Sequence, residues 1–436
     1  MKSIPLSFQQ RFHWDNARRL SDLNLNFPFA LMITGTLDIE RLRASLERVI
    51  RRHAALRTRI LVINTEPLQV VDPPGHFRLE VLSRSHDLAR EVEAYLNNPF
   101  ELVGGRLFRA RLLRLSNRQH ILLVCAHHLI MDAFSLRVLS NELWNCYATR
   151  SPTLPALPIQ YADYAIRQRQ TQRNWRESHG KYWSERLADA VPLRLPAERS
   201  VQVDPATSVG TFQIELEGAL AAAIHSAARR WQTMPAMLVL TAFTAALSHW
   251  SQQKDFIVPI VFSGRDDPDS LDLIGFFSYV LLLRMQLQGV QHFADLLEKV
   301  SREFCGACER QDHGRVVTEL LAGLPARDGM KLFSTSFNWL SMSAAELSGD
   351  PSPAVLSQLD GKLSLSPFPF RFLPRYPNGG ARPGQSDSSE VPATGLQVTE
   401  GNVLEASLLY SSGSLSPHSM AALAASLLGV LEKAVA

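Results

Sequence analysis

The sequence predicts an α/β protein made of two halves of similar size, and three observations carry that prediction. Strand-like apolar runs alternate with helical patterns in both halves, a segment with Pro196, Pro205 and little periodicity separates them near Leu195 to Thr211, and the size is right. With 436 residues, 46% hydrophobic and 20% charged, the chain can fill two or three core units of ordinary domain size. In the first half Phe29 to Ile33 reads as a strand, followed by a helix with an apolar face of Ile39, Leu42, Leu46, Val49 and Ile50 and with Asp38 as its cap. Ile121 to Cys125 is a continuous apolar run of strand length, after which Leu136, Leu139 and Leu143 recur at helical spacing. The second half repeats the theme: Thr211 to Leu216 as a strand, Leu220 to Trp231 as a helix, and Met234 to Trp250 as a more buried helix. Phe256 to Phe262 is a further strand that empties into Ser263-Gly264-Arg265-Asp266-Asp267, where Gly264 permits a sharp turn.

Composition removes several classes of function. A formal net charge of +3 is too small to imply nucleic acid. No run approaches the roughly 20 apolar residues of a membrane span, and Met1 to Trp14 lacks a signal-peptide core, so the expected location is cytoplasmic, with no membrane partner. Cys125, Cys146, Cys305 and Cys308 are too few and scattered for a disulfide framework. Cys305-Gly306-Ala307-Cys308 spells CxxC, but it lies in a helical pattern with no second ligand pair, and no metal is expected. Arginines gather early, from Arg18 and Arg19 to Arg59; the face from Arg41 to Arg52 reads either as a solvated helix surface or as a docking surface for an acidic protein partner.

The chemistry concentrates in His127-His128-Leu129-Ile130-Met131-Asp132-Ala133-Phe134-Ser135, a strand-to-helix turn. A neutral histidine can orient or deprotonate a nucleophile near neutral pH, and acyl transfer needs such a group. Turn or core histidines with Asp132 as a helix cap would produce the same pattern.

From end to end the chain resembles the condensation domains of nonribosomal peptide synthetases, whose core motif reads HHxxxDG. Ser7, Gln10 and Trp14 sit where the opening motif of that family has them, and Arg52-His53-Ala54-Ala55-Leu56-Arg57-Thr58-Arg59 is similar to its RHExLRTRF segment. Pro158 to Ala165 resembles its YxDFA stretch, and Tyr182-Trp183 with Leu187 and Leu195-Pro196 resembles the passage leading into the linker. Leu273 to Arg284 is similar to the IGxFVNTLPLR segment, with Tyr279 and Leu282 where asparagine and proline are usual, so that side of the tunnel is expected to be unusually shaped. Ala133 stands for the motif glycine and Arg167 for a tryptophan; the alanine would be disfavoured if its position needed a positive φ.

The resemblance implies two chloramphenicol-acetyltransferase-like lobes forming a V-shaped pseudo-dimer around a central tunnel. Residues 1–195 would form the lobe carrying the histidine motif, and 196–436 the lobe with floor-loop and latch elements. It implies transfer of an acyl or peptidyl thioester, held on the phosphopantetheine arm of a carrier protein, to an amine or hydroxyl acceptor that is free or carrier-bound, with no intrinsic cofactor. His128 would take the proton or stabilise charge, His127 would position the turn, and the backbone N–H near Ala133 would help to hold the oxyanion. Arg265 matches the arginine that the family pairs with Asp132; the alternative is an exposed pair with Asp266 or Asp267. Ser135, Gly275, Ser278, Tyr279 and Asn338 are expected to line the tunnel, Asn338 alternatively being an ordinary strand-end amide. The Pro-, Gly- and Ser-rich stretch Pro367 to Pro392 is expected to hold the latch or to be a surface insertion. The chain is expected to be a monomer, either a stand-alone enzyme or an excised domain. Two other classes compete: a coenzyme A-dependent acyltransferase of the same superfamily, and a catalytically silent module that recruits carrier proteins.

Overall fold

A computed structural model of the chain describes residues 3–19, 25–83, 87–149, 154–171, 179–196, 209–216, 218–311, 334–359, 363–368, 394–401, 403–412 and 414–436. In chain order the first half contains β1 (Ser3–Pro5), α1 (Phe8–Arg19), β2 (Asn26–Gly35), α2 (Ile39–Arg52), β3 (Thr58–Ile63), β4 (Glu66–Val71), β5 (Glu80–Ser83) and α3 (Leu88–Asn97). It continues through β6 (Phe108–Arg114), β7 (Gln119–His127), α4 (Ala133–Ala148), α5 (Tyr161–Thr171) and α6 (Lys181–Leu187). The second half runs through β8 (Val209–Ile214), α7 (Gly218–Arg230), α8 (Pro235–Ser251), β9 (Asp255–Phe262), β10 (Tyr279–Gln286), α9 (Phe293–Glu309) and β11 (Thr335–Leu340). It ends with β12 (Leu363–Pro367), β13 (Thr394–Glu400), β14 (Leu404–Ser411) and the C-terminal helix Pro417–Val435.

One five-stranded sheet, β12-β2-β7-β6-β5, forms the first lobe, and one six-stranded sheet, β10-β9-β11-β13-β14-β8, forms the second; β1, β4 and β3 make a smaller third sheet. The apolar run in β7 is continuous because both of its faces are covered. Leu122, Val124 and Ala126 join the main core of the first lobe, while Ile121, Leu123 and Cys125 pack with Val92 and Leu96 of α3. The helix α2 begins where the sequence places it: the Asp38 carboxylate accepts from the Arg41 N–H, and Leu42, Leu46, Val49 and Ile50 are buried. The second core gathers α7, α8, α9 and the inner faces of the larger sheet. The C-terminal helix has the length and hydropathy of a membrane span, but Met420, Leu423, Leu427 and Leu431 form a buried stripe against the second core.

Core membership departs from chain order at two places. Trp183, Leu187, Leu193 and Leu195 lie before the expected boundary at residue 195 yet belong to the second core. In the other direction β12 crosses to the first lobe and pairs antiparallel with β2, with Leu365 opposite Ile33, and Val355, Leu359 and Leu363 enter the first core. A strand that alternates leucine and serine gains ladder hydrogen bonds along the free edge of β2 and buries Leu363, which explains the crossing. Of the stretch Pro367 to Pro392, only Pro367 and Phe368 fall within the described residues, where the Phe368 N–H donates to the Ala30 carbonyl at 2.9 Å. The expected linker from Leu195 to Thr211 is described only at its two ends.

Candidate active site at the lobe junction

The histidine turn is built by the end of one strand and the cap of the next helix. The His127 N–H donates to the Leu107 carbonyl and the His128 N–H to the Leu25 carbonyl, each at 2.8 Å; the strand ends at His127, and the turn begins at His128, with the Ile130 N–H donating back to the His127 carbonyl at 3.0 Å. Asp132 then caps α4, its carboxylate accepting from the Ser135 N–H at 2.7 Å. Ala133 is the first residue of α4 and is absent from the residues with positive φ, so the methyl group that replaces the motif glycine brings no backbone strain here.

The two imidazoles differ in tautomer. The Nδ1 of His127 accepts from the Leu129 N–H at 3.1 Å, which places its proton on Nε2. Nδ1 of His128 lies 2.8 Å from the Met131 carbonyl oxygen, an acceptor only, so it must donate and leave Nε2 with the free lone pair. Burial, with His128 adding repulsion, pushes His127 down to about 3. Burial also lowers His128, though Asp132 and the Met131 carbonyl pull it part of the way back. At neutral pH both rings are uncharged, and the partly exposed His128 is the one with an available base.

Opposite the turn, the segment between β9 and β10 of the second lobe closes onto the first. Gly264 adopts φ +64, and a Cβ there would sit 2.2 Å from the Phe277 carbonyl oxygen, so glycine alone lets the chain double back. The next residue, Arg265, turns inward and not toward Asp266 or Asp267. Its Nη2 donates to Asp132 Oδ1 at 3.0 Å and to Ser135 Oγ at 2.8 Å, and its Nη1 donates to the Ser270 and Leu273 carbonyls. The rings of Phe134 and Phe277 lie 4.5 and 4.1 Å from its guanidinium carbon. Asp132 Oδ2 accepts from the Phe277 N–H at 3.0 Å. Burial alone would raise the Asp132 carboxyl, but Arg265 and the hydrogen bonds from Ser135 and Phe277 outweigh it and hold it below the usual carboxylate value.

Two residues expected to line the tunnel are placed elsewhere. Ser135 is fully buried, and its hydroxyl accepts from the Gly275 N–H and Arg265 while sharing its own proton between Asp132 and the Gly275 carbonyl. Gly275 packs so tightly that a Cβ would meet Tyr161 Cδ2 at 2.0 Å. Both hold the lobe junction together and have no free polar group for a substrate. Leu282 lies in the second core, and Tyr279 tilts against Phe262 and bonds Gln311, so neither departure reshapes the histidine turn directly. Ser278 is half-buried beside this segment. Asn338 sits on β11 opposite Val261, its Oδ1 buried without a partner among the described residues, and no hydrogen bond or ring contact among them joins it to His128. Arg167, in place of a tryptophan, forms an exposed tie to Asp269 at 3.1 Å.

The sequence reading missed the aromatic enclosure of His128. Rings of His13, Phe27 and Phe276 have centroids 5.3, 5.4 and 4.6 Å from that of His128. It also missed a buried clamp: His53 Nε2 bonds Glu142 at 2.8 Å while its Nδ1 accepts from the Ile274 N–H at 3.3 Å, tying α2 and α4 to the same segment. The one available signal for His13 was its spacing, three residues after Gln10 in a motif whose members Ser7, Gln10 and Trp14 are all buried. Elsewhere, a concavity of about 630 Å³ lined by Arg43, Glu47, His76, Phe77 and Arg78 shares no residue with the histidine turn. Among the described residues no cluster of His, Cys, Asp or Glu has the makings of a metal site. Arg41 and Arg52 of the basic face are engaged locally, with the Ala148 carbonyl and with Glu142.

The chain that builds this turn matches a known family. The family model described as Condensation domain covers residues 2–364. The chain belongs to the condensation-domain family. Bacitracin synthase 3 of Bacillus licheniformis is 30% identical over 310 residues, 70% of this chain and 5% of the relative. Chondramide synthase cmdD of Chondromyces crocatus is 30% identical over 394 residues, 85% of this chain and 10% of the relative. This condensation domain thus spans about a tenth or less of these two synthases. Its fold is shared with the X-domain from teicoplanin biosynthesis, at a TM-score of 0.82 and 22% identity over 100% of this chain and 95% of the other. The condensation domain of the polyketide synthase MokA also superposes, at 0.80 and 19% identity over 99% and 97% of the two chains. The two lobes are therefore the halves of the pseudo-dimeric fold of condensation domains.

Proposed function

We propose that this condensation domain transfers an acyl or peptidyl group from a carrier-protein phosphopantetheine thioester to an acceptor amine or hydroxyl, with His128 as proton acceptor. The observation that carries the reading is the tautomer of His128. Its Nδ1 proton is committed to the Met131 carbonyl, which leaves Nε2 of a neutral, half-buried ring with the lone pair. As the nucleophile attacks the thioester carbonyl, Nε2 takes its proton; when the tetrahedral intermediate collapses the C–S bond breaks, and the imidazolium returns that proton to the leaving sulfur, releasing the thiol arm. The N–H of Ala133 lies at the start of α4, where helical N–H groups have no carbonyl partner within the helix, which supports its assignment as a donor to the developing oxyanion. Asp132 accepts from Arg265, Ser135 and Phe277 and is thereby a scaffold for the turn, not a base. His127 is fixed by Leu129 and holds the strand end.

The experiment is intact-protein mass spectrometry of acyl-loaded carrier proteins incubated with candidate amines and alcohols, with this protein and with its H128A variant. Carrier deacylation coupled to product in the wild type, and lost in H128A, supports the reading. Reaction with coenzyme A thioesters alone would replace it with the carrier-independent acyltransferase. Silence with every pair, but retained binding of carrier protein, would replace it with a recruitment module.

A further inference from the structure

We propose that His13 is a positioning residue for His128: its imidazole fixes the plane of the neighbouring ring and closes that face of it to water, a role that rests on the reading of His128 as the base. The two rings are stacked, with centroids 5.3 Å apart and 22° between their planes. His13 in turn meets Phe276 edge-on at 4.7 Å, and Phe276 tilts against His128 at 4.6 Å, so the three rings touch in a closed triangle. Phe27 of β2 adds a further contact at 5.4 Å. One hydrogen bond, from Nδ1 to Met131, leaves the His128 ring free to swing about that contact, and the neighbouring rings remove the freedom.

The helix α1 is built to hold His13 in register. One turn before it, Gln10 Nε2 donates to the Leu129 carbonyl at 2.8 Å, within the histidine turn itself. Gln9 Nε2 donates to the Phe277 carbonyl at 3.0 Å, next to Phe276, and Trp14 is buried in the first core. The helix therefore ties to both sides of the ring triangle. The titratable and charged groups near His128 are His13 from α1, His127 before it on β7, and Asp132 after it in the turn, whose charge is countered by Arg265 from the second lobe. Burial is the foremost cause of the lowered proton affinity of both His13 and His128. Opening one ring face to water thus raises the His128 titration point toward the ordinary histidine value.

The test compares H13A and H13F in the full chain by carrier-linked kinetics and by nuclear magnetic resonance of labelled imidazoles, with His128 assigned through H128A. For H13A the expected result is a roughly tenfold loss of kcat with KM within about twofold. The His128 titration midpoint moves up, and the single Nδ1–H tautomer gives way to a mixture. H13F refills the space with a flat ring and returns all three readings to wild type. If H13A packs poorly, H13Q, which lacks a ring, is expected to show the same losses. An unchanged His128 titration and tautomer in a folded H13A or H13Q variant overturns the proposal. So does H13F with losses as large as those of H13A, which would place the nitrogens of His13 on substrate. The resonance measurement does not depend on turnover: a protein inactive toward every donor, yet with the predicted shifts, separates failure of the functional reading from failure of the positioning role.

Discussion

Replacing Arg265 by alanine removes the cation that faces a carboxylate almost sealed from solvent. The side chains of Arg265 and Asp132 are 2% and 3% exposed, so water cannot take over when the guanidinium goes. Breaking a buried pair from one side costs about 3–5 kcal/mol, because the remaining charge keeps its desolvation penalty. The two carbonyls that Nη1 serves, Ser270 and Leu273, also lose their donor, which places R265A at the upper end of that range. The double variant D132N/R265M removes both charges and should lose less than R265A. In the wild type the Asp132 carboxyl is held below its ordinary value and favours folding at neutral pH. In R265A burial dominates, so the folded protein protonates Asp132 before the unfolded chain does. The deficit of R265A is therefore largest near pH 7.5 and shrinks as pH falls toward about 4. Urea unfolding of wild type, R265A and D132N/R265M at pH 7.5 and 5 measures this directly. A loss below about 1 kcal/mol for R265A, or a deficit that does not change with pH, would refute the argument that Asp132 is a desolvated anion dependent on Arg265.

The same geometry fixes other outcomes. G275A drives a methyl group to 2.0 Å from Tyr161 and should cost about 1–3 kcal/mol, read as a lowered thermal midpoint. Because burial lowers His128, the acid limb of the transfer rate should fall below the ordinary histidine value of about 6.5, leaving the rate nearly flat above neutrality; stopped-time product assays across pH 5 to 9 check it. His127, pushed down to about 3, binds its proton more readily when unfolded, so it contributes stability above about pH 6.5 that is lost as pH falls toward 3, a decline that denaturant midpoints will show. Cys125 is buried, with its thiol pushed up to about 12, whereas Cys305 is exposed; alkylation of the native protein followed by mass spectrometry should modify Cys305 and spare Cys125 until urea unfolds the chain.

The sequence by itself determined the alternation of strands and helices, because periodicity and caps are local: the buried run of β7, the Asp38 cap and the helical spacing after Asp132 depend on residues within a few positions of one another. Its motifs carried the family and the residues of the histidine turn, and composition held no sign of either. Three things were decided by the tertiary structure alone. The crossing of β12 to the edge of β2 joins residues more than 300 positions apart, and nothing in the local pattern of Leu363–Pro367 names its partner. Ser135 reads as lining because it follows the histidine motif, and Gly275 because it lies in the segment similar to IGxFVNTLPLR, yet both are consumed by the junction, since each answers to a buried group on the opposite lobe. His13 stood out in no local pattern; it became the stacked neighbour of His128 only when Gln10 and Leu129, 119 residues apart, met. Local propensity is written along the chain, whereas burial, and with it proton affinity, is set by whichever distant residues exclude the water.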